Sequence, residues 1–445
     1  MLIGLDLGTS AIKGVRIDVS GHILAEAGAA VQFSHPQDGW VEVDPESHYR
    51  KVCGVIRELA AAAPGEVKAL AMAGASGNTL LTDTVGAPLH PIINWMDKRA
   101  EQPLPTVLAA LTSADVSRIT GWPCVNAFPL AHLAWLREQR PALYARARHY
   151  GMDTDWLLYR LTGQWQLDHS TATTFHLQDQ VSGTYHRPFL EMLNIPLDKL
   201  SPLVDSGVVV GPLTAQALKN TGLSATTQVV SGSFDHPAAA RGTGTLTPGQ
   251  LLLSCGTSWV GFTPALNRQT ILDAGILCDP FLSARQGPWG AIFSVPYIGR
   301  TIDAYIDALI APGASDKYRI FNESAAEAAP GAGGLEIDLR APLVAVKASR
   351  SNISRAVMEG AARLLSEKAR TLAPYGFSFK QGMLVGGPAN SPVWPGIIAS
   401  IMGIELSVGS RHAGALGAAL LAGIGIGVYP DEHQAWAITH NCCRR

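Results

Sequence analysis

Two short stretches of this chain carry the residue types that hold a phosphate group. The first runs Leu5-Asp6-Leu7-Gly8-Thr9-Ser10, with Lys13 shortly after. Gly8 lets the backbone approach an anion closely, Thr9 and Ser10 add hydroxyl and N–H donors, and Lys13 reaches back as a cation. Asp6 suits Mg2+, held through water because that ion gives up its waters reluctantly. Alone, these residues better describe an ordinary hairpin in which Asp6 accepts from turn N–H groups. A near-copy, Leu251-Leu252-Leu253-Ser254-Cys255-Gly256-Thr257-Ser258, changes that balance. It is again an apolar strand followed by Gly-Thr-Ser, and Gly256 lies 256 − 8 = 248 positions after Gly8. The pair favours two phosphate turns, one in each of two similar domains.

A carboxylate that could move a proton lies close to the second turn. Ser231-Gly232-Ser233-Phe234-Asp235-His236 follows the strand Val229-Val230, so Asp235 stands just past a strand end in a glycine-loosened turn. A general base for phosphoryl transfer is an ionised carboxylate close to an acceptor hydroxyl. Asp235 is equally placed to cap a helix beginning at His236-Pro237, and the segment does not choose between the roles. Gly386 and Gly387, with Asn390 beyond them, link a strand to a helix, a turn that suits nucleotide groups at a helix N-terminus or simply makes a tight connection. Trp95 and Asp97, in Ile92 to Arg99, set an aromatic face beside charged groups, as sugar binding requires, although a solvated strand end reads the same way. Gly74-Ala75-Ser76-Gly77-Asn78 approaches the G-x-S-x-G of serine hydrolases, but Asn78 stands where the last glycine belongs. No G-x-x-x-x-G-K-[ST], H-E-x-x-H or C-x-x-C occurs, which excludes a P-loop enzyme and the common zinc motifs.

These groups need strands and turns to aim them. Ile3, Leu5 and Leu7 alternate with Gly4, Asp6 and Gly8 as a half-buried strand does, and a second strand, Ile12 to Val19, follows almost at once. That makes a hairpin, where a Rossmann unit would place a helix. Asp44-Pro45 opens an Ala-rich helix that stops at Pro64-Gly65. Further helices are predicted from about Ser354 to Ala369 and from Ser391-Pro392 to Gly403. Strands alternating with helices imply an α/β protein. The polar joint Gly222 to Thr227 predicts a boundary there, giving domains 1–225 and 226–445.

Composition bounds the reading. With 445 residues, 47% hydrophobic and 16% charged, the chain has apolar surface enough for two or three cores. A formal charge of −2 leaves no polycationic face for nucleic acid or anionic lipid. Six scattered Cys point to a reducing compartment, and the start, Met1-Leu2-Ile3, lacks the features of a signal peptide. Ala413 to Tyr429 is uncharged but short and glycine-broken, hence a buried helix rather than a membrane span. The expectation is a cytoplasmic protein with no nucleic-acid or membrane partner.

Taken in order, the segments resemble the FGGY carbohydrate kinases. Leu5 to Lys13 is similar to that family's first phosphate motif, Gly39-Trp40-Val41-Glu42-Val43-Asp44-Pro45 to its W-x-E-x-D-P stretch, and Asp155 to Gly163 to another characteristic segment. Gly232 to Asp235 resembles the base motif, Leu253 to Ser258 the second phosphate motif, Gly386 to Trp394 the adenosine motif, and Gly414 to Ala419 the terminal helix. The resemblance implies two actin-like (ribonuclease H-like) ATPase domains flanking a catalytic cleft, ATP with Mg2+, and phosphorylation of a small sugar or polyol. It implies Asp235 as base and Asp6 at the metal. Gly8, Thr9, Ser10, Lys13, Gly256, Thr257 and Ser258 would hold phosphates, with Gly386, Gly387 and Asn390 on the nucleoside. Ser76, Asn78, Trp95, Asp97, Asp235 and His236 would face the acceptor, a ketose such as xylulose or fuculose, or else a polyol. Departures exist. Ala75-Ser76-Gly77 replaces the Met-His-Gly of xylulokinases, and Asp235-His236 is similar to fuculokinase-like members. Pro388 replaces a glycine, and a G-E-R-x-P core is missing around residues 312–345. A non-catalytic nucleotide- or sugar-binding regulator, or a motor-like ATPase, is the other reading of such a fold, and a homodimer stays open.

Overall fold

Each half of the chain builds a sheet around one of the glycine-turned hairpins. The computed structural model describes residues 1–442 except Ser76, Gln102, Ala284, Val344 and Ala345, with the backbone alone for Asn441 and Cys442. The first sheet contains β1 (Leu2–Leu7), β2 (Ala11–Ile17), β3 (Ile23–Ala30), β4 (Ala69–Gly74), β5 (Val209–Pro212) and β6 (Gln228–Phe234), in the order β5-β6-β4-β1-β2-β3. The second contains β7 (Gln250–Cys255), β8 (Trp259–Ala265), β9 (Leu277–Asp279), β10 (Trp289–Val295), β11 (Gln381–Gly386) and β12 (Glu405–Val408), in the order β9-β10-β8-β7-β11-β12.

The two sheets share one pattern. β1 pairs antiparallel with β2 and parallel with β4, as β7 pairs antiparallel with β8 and parallel with β11. β3 and β10 extend the antiparallel sides, and β6 and β12 the parallel sides. The repeat is that of two similar domains, as the offset between the Gly-Thr-Ser turns suggests, and it agrees with the actin-like architecture that the family resemblance implies. One expected division moves. β6 lies beyond the joint at residue 225 yet pairs with β4, so the sheets part only after Phe234.

Eight helices place the site: α1 (Pro45–Ala61), α2 (His169–Phe175), α3 (Asp235–Thr243), α4 (Ile298–Tyr305), α5 (Lys317–Glu327), α6 (Arg350–Arg370), α7 (Trp394–Met402) and α8 (Ala413–Gly425). Asp44 caps α1 as its sequence predicts, its carboxylate accepting from Ser47 N–H. The strand alternation of β1 then has a direct use. Ile3, Leu5 and Leu7 pack in the core under α1, whereas Gly4 faces α8, where an added Cβ would stand 1.8 Å from Ala415 O. α8 crosses α3 just as closely, for a Cβ on Gly417 would lie 1.7 Å from Ala238 O and one on Gly242 2.0 Å from Ala413 O. The uncharged run at Ala413 is thus a buried helix, squeezed between the first sheet and α3. Between β4 and β5 the chain inserts a lobe of short helices with its own core, including Leu133, Met152, Phe175 and Leu193. Among the described residues no helix is long and apolar enough to cross a membrane.

Candidate active site

The end of β1 presents Asp6 toward the junction of the two sheets, opposite Lys13 in the β1–β2 ladder. A Cβ on Gly414 would be 2.8 Å from Asp6 Oδ2, so the first turn of α8 is glycine where the carboxylate sits. Burial, and next the charge of Asp235, push the Asp6 carboxyl up to about 7, against the pull of Lys13. Asp235 opens α3 directly after β6. It is not the helix cap expected as its alternative role: Phe234 holds that position without a side-chain bond, and Asp235 Oδ1 accepts from His236 N–H at 2.6 Å. Its side chain stays 30% exposed, which leaves the carboxylate reachable. Burial raises its pKa, opposed by the nearby His236, whose Nε2 lies 3.9 Å from Asp235 Oδ1. A buried carboxylate raised by a neighbouring negative charge, as Asp6 is by Asp235, fits a divalent cation. Among the described residues no cluster of three or more His, Cys, Asp and Glu surrounds them. Such an ion would draw its remaining ligands from water and phosphate.

The second sheet contributes a cleft of about 470 Å3 lined by Gly256, Thr257, Gly387 and Asn390, together with Arg300, Asp303, Tyr318, Asn322 and Trp394. Gly386 pairs with Cys255 across β7 and β11, with φ +93°, and a Cβ there would be 2.3 Å from Cys255 O. Only glycine lets that turn lie against the second Gly-Thr-Ser. Ser258 Oγ accepts from Tyr297 N–H at 3.1 Å, and Gly299 N–H donates to Thr257 O at 3.0 Å, which anchors the turn to the start of α4. Beyond Gly386 the chain makes a short 3-10 turn, Gly387–Asn390, before α7, and Ser391 Oγ accepts from Trp394 N–H at 3.2 Å. The helix therefore opens three residues later than Ser391 suggests. Asn322 reaches this turn from α5, its Oδ1 accepting from Ser391 Oγ–H at 2.7 Å.

The acceptor-side expectations land unevenly. Trp95 donates its indole N–H to Thr9 Oγ1 at 3.1 Å, which fixes the first phosphate turn. Asn78 is buried, its Oδ1 accepting from Trp95 N–H at 3.0 Å and its Nδ2 donating to Asp153 at 2.8 Å. Asp97 is committed elsewhere. Its oxygens accept from both Arg99 Nε and Nη2 and from Val41 N–H, and Arg99 also binds Glu42, which makes a buried ion network under the W-x-E-x-D-P stretch. Ser76 lies outside the described residues. His236 packs edge-on against Phe234, and Phe234 meets Trp122, which in turn meets Phe128 and His176. Sequence reasoning missed this aromatic wall, because Trp122, Phe128 and His176 come from a lobe with no periodicity tying them to Asp235. Phe128 adopts φ +64°, an uncommon backbone for a bulky residue and one that concentrates at functional sites. Arg300, Asp303, Tyr318 and Asn322 were also missed, since they lie on two amphipathic helices whose sequence reads as packing.

The family model for the N-terminal domain of the FGGY family of carbohydrate kinases matches residues 1–242, and that for the C-terminal domain matches residues 322–426. Autoinducer-2 kinase of Yersinia enterocolitica is 27% identical across 96% of this chain and 87% of its own length. The fold is similar to xylulose kinase from Lactobacillus acidophilus, with a TM-score of 0.87 and 21% identity over 98% of this chain and 91% of that one. It is also similar to Plasmodium falciparum glycerol kinase with ADP, with a TM-score of 0.83 and 17% identity over 98% and 92% of the two chains.

Proposed function

The chain belongs to the FGGY family of carbohydrate kinases, and on that premise we propose that it phosphorylates a hydroxyl of a small ketose, such as a pentulose or fuculose. The single observation that carries the reading is Asp235 itself, a carboxylate at the start of α3 whose side chain stays 30% exposed and whose charge reaches Asp6. ATP with Mg2+ is the phosphoryl donor of this family. Asp6 would hold the ion, which supplies positive charge against the phosphate oxygens. Gly8, Thr9, Ser10 and Lys13 present donors to the phosphates from one side, and Gly256, Thr257 and Ser258 from the other. Gly386, Gly387, Asn390 and the groups on α4 and α5 receive the nucleoside.

Asp235 accepts the acceptor's hydroxyl proton while that oxygen forms a bond to the γ-phosphorus. The bond from that phosphorus to the bridging oxygen breaks in line, and ADP leaves with the electron pair. Trp95 steadies Thr9, and the cluster of Phe234, Trp122 and Phe128 packs behind the backbone that carries Asp235. A second reading of the acceptor, autoinducer-2, rests on the name of the relatives that match along nearly the whole chain. A polyol, or a non-catalytic regulator, is the remaining alternative. We place the protein in the cytoplasm. The test is ADP release with MgATP across D-xylulose, D-ribulose, L-fuculose, autoinducer-2, erythritol and glycerol, with Asp235→Ala as control. Turnover on one acceptor that falls by about 100-fold or more in the control supports the reading. Undiminished turnover in Asp235→Ala overturns the base, and no turnover on any acceptor overturns the ketose.

A further inference from the structure

Asp279 is fully buried on β9, the edge strand of the second sheet, and among the described residues no Lys or Arg pairs with it. Arg241 lies near enough to stabilise its charge, but the guanidinium donates to Glu432 and to the carbonyls of Pro237 and Phe281. A buried carboxylate without a cation is costly, so the hydrogen-bonding partner it has among the described residues matters. That partner is Ser170, on α2 of the first domain's inserted lobe, whose hydroxyl lies 2.9 and 3.1 Å from the two oxygens of Asp279. With its proton committed to Asp279, Ser170 Oγ turns a lone pair to Phe234 N–H at 3.2 Å. Phe234 is the residue immediately before Asp235, and its backbone sets where α3, and so the Asp235 carboxylate, begins.

The edge that carries Asp279 is fastened to the other domain by Cys278 and by Arg268 on the preceding helix. Cys278 N–H donates to Gly121 O at 3.1 Å, Gln180 Nε2 donates to Cys278 O at 2.9 Å, and Arg268 donates to Gln180 Oε1 at 2.9 Å and to Arg118 O at 3.0 Å. We infer that Asp279 and Ser170 are positioning residues for Asp235, through which the docking of the second sheet's edge on the first domain sets the geometry of the base. The inference rests on the kinase reading of Asp235. Asp279 orients the Ser170 hydroxyl, the hydroxyl holds Phe234 N–H, and a base aligned this way is ready only when the two domains are seated on one another. Neither residue touches the nucleotide cleft, whose lining lies on α4, α5 and the turns of β7 and β11.

Ser170→Ala, Asp279→Ala, the double variant and Asp279→Asn separate this role from plain stability. Turnover of MgATP is followed with D-xylulose and, with no acceptor added, with water in its place. Ser170→Ala and Asp279→Ala are each expected to lower kcat by about 10- to 100-fold with KM for MgATP within about twofold, since displacing a catalytic group by an ångström costs about that much. Because the two act in series, the double variant should lose no more than the worse single one. Asp279→Asn keeps an oxygen for the Ser170 hydroxyl and should retain kcat within about threefold. Crystal structures of Ser170→Ala and the unaltered protein give a readout independent of turnover, the expected result being a displaced Asp235 carboxylate with an unchanged nucleotide cleft. Losses that multiply in the double variant, a shared fall of kcat and affinity for MgATP, or an unmoved Asp235 would overturn the inference. If Asp235→Ala itself keeps full turnover, the kinase reading fails first. If Asp235→Ala is inactive while Ser170→Ala is unimpaired, only the positioning role fails.

Discussion

At the scale of single residues, the site is a set of carboxylates held at unequal cost. Asp235 keeps part of its side chain exposed, while Asp279 is fully buried with Ser170 as its hydrogen-bonding partner. Burial pushes the Asp279 carboxyl well above its ordinary value of 3.8. Between that value and the raised one, the folded chain holds a proton that the unfolded chain has lost, so this group's contribution to stability falls as pH rises. Asp279→Asn removes the dependence. The melting temperature of that variant, relative to the unaltered protein, is therefore expected to increase from pH 4.5 to pH 7.5. A difference that stays flat or shrinks over that range would mean that Asp279 is not held in a costly state. The proposed roles of Asp6 and Asp235 could be drawn from their turns together with the family resemblance, since each sits at a strand end in a recognisable turn. Those of Ser170 and Asp279 could not, for they are 109 positions apart and meet only across the domain boundary.

At the scale of elements, glycine decides how near two backbones can come. Gly417→Ala on α8 would push a methyl group to within 1.7 Å of Ala238 O on α3 and force the central helices apart. A loss of about 3 kcal/mol is expected, read as a lower melting temperature and denaturation midpoint, since overpacked contacts against backbone have no side chain to yield. Gly386→Ala acts differently. Its Cβ meets Cys255 O at 2.3 Å in a backbone region closed to side chains, directly beside the second phosphate turn. KM for MgATP should rise about tenfold or more from strain of about 2 kcal/mol, with little change in affinity for the acceptor. An unchanged KM would separate that turn from nucleotide binding. Both hairpins, the capped helix α1 and the buried α8 were legible because strand alternation, Asp-Pro capping and an uncharged apolar run are local signals. The boundary at residue 225 was not, because a polar joint marks the end of a helix and cannot show which sheet the next strand will join. Asp97 misled for a similar reason. A Trp-flanked charge cluster looks like a binding surface until Glu42 and Arg99 are seen to neutralise it from within.

At the scale of the whole molecule, two copies of one strand pattern are joined by the packing of α8 on β1 and α3 and by the docking of β9 on the inserted lobe. In the proposed reaction each copy supplies one phosphate turn, so the reacting groups line up only when both domains are in place. The two-domain organisation was recoverable from one repeated Gly-Thr-Ser and its strand context, while the packing about Phe234, next to Asp235, was not, because Trp122, Phe128 and His176 are remote from it in sequence. The most direct test of the central claim is ADP release from MgATP over the acceptor panel, run side by side for the unaltered protein and Asp235→Ala. Rapid turnover confined to one small hydroxylated acceptor, lost by about 100-fold or more in Asp235→Ala while MgATP still binds, is the expected result. Equal turnover in both proteins, or MgATP binding with no acceptor phosphorylated, would contradict it.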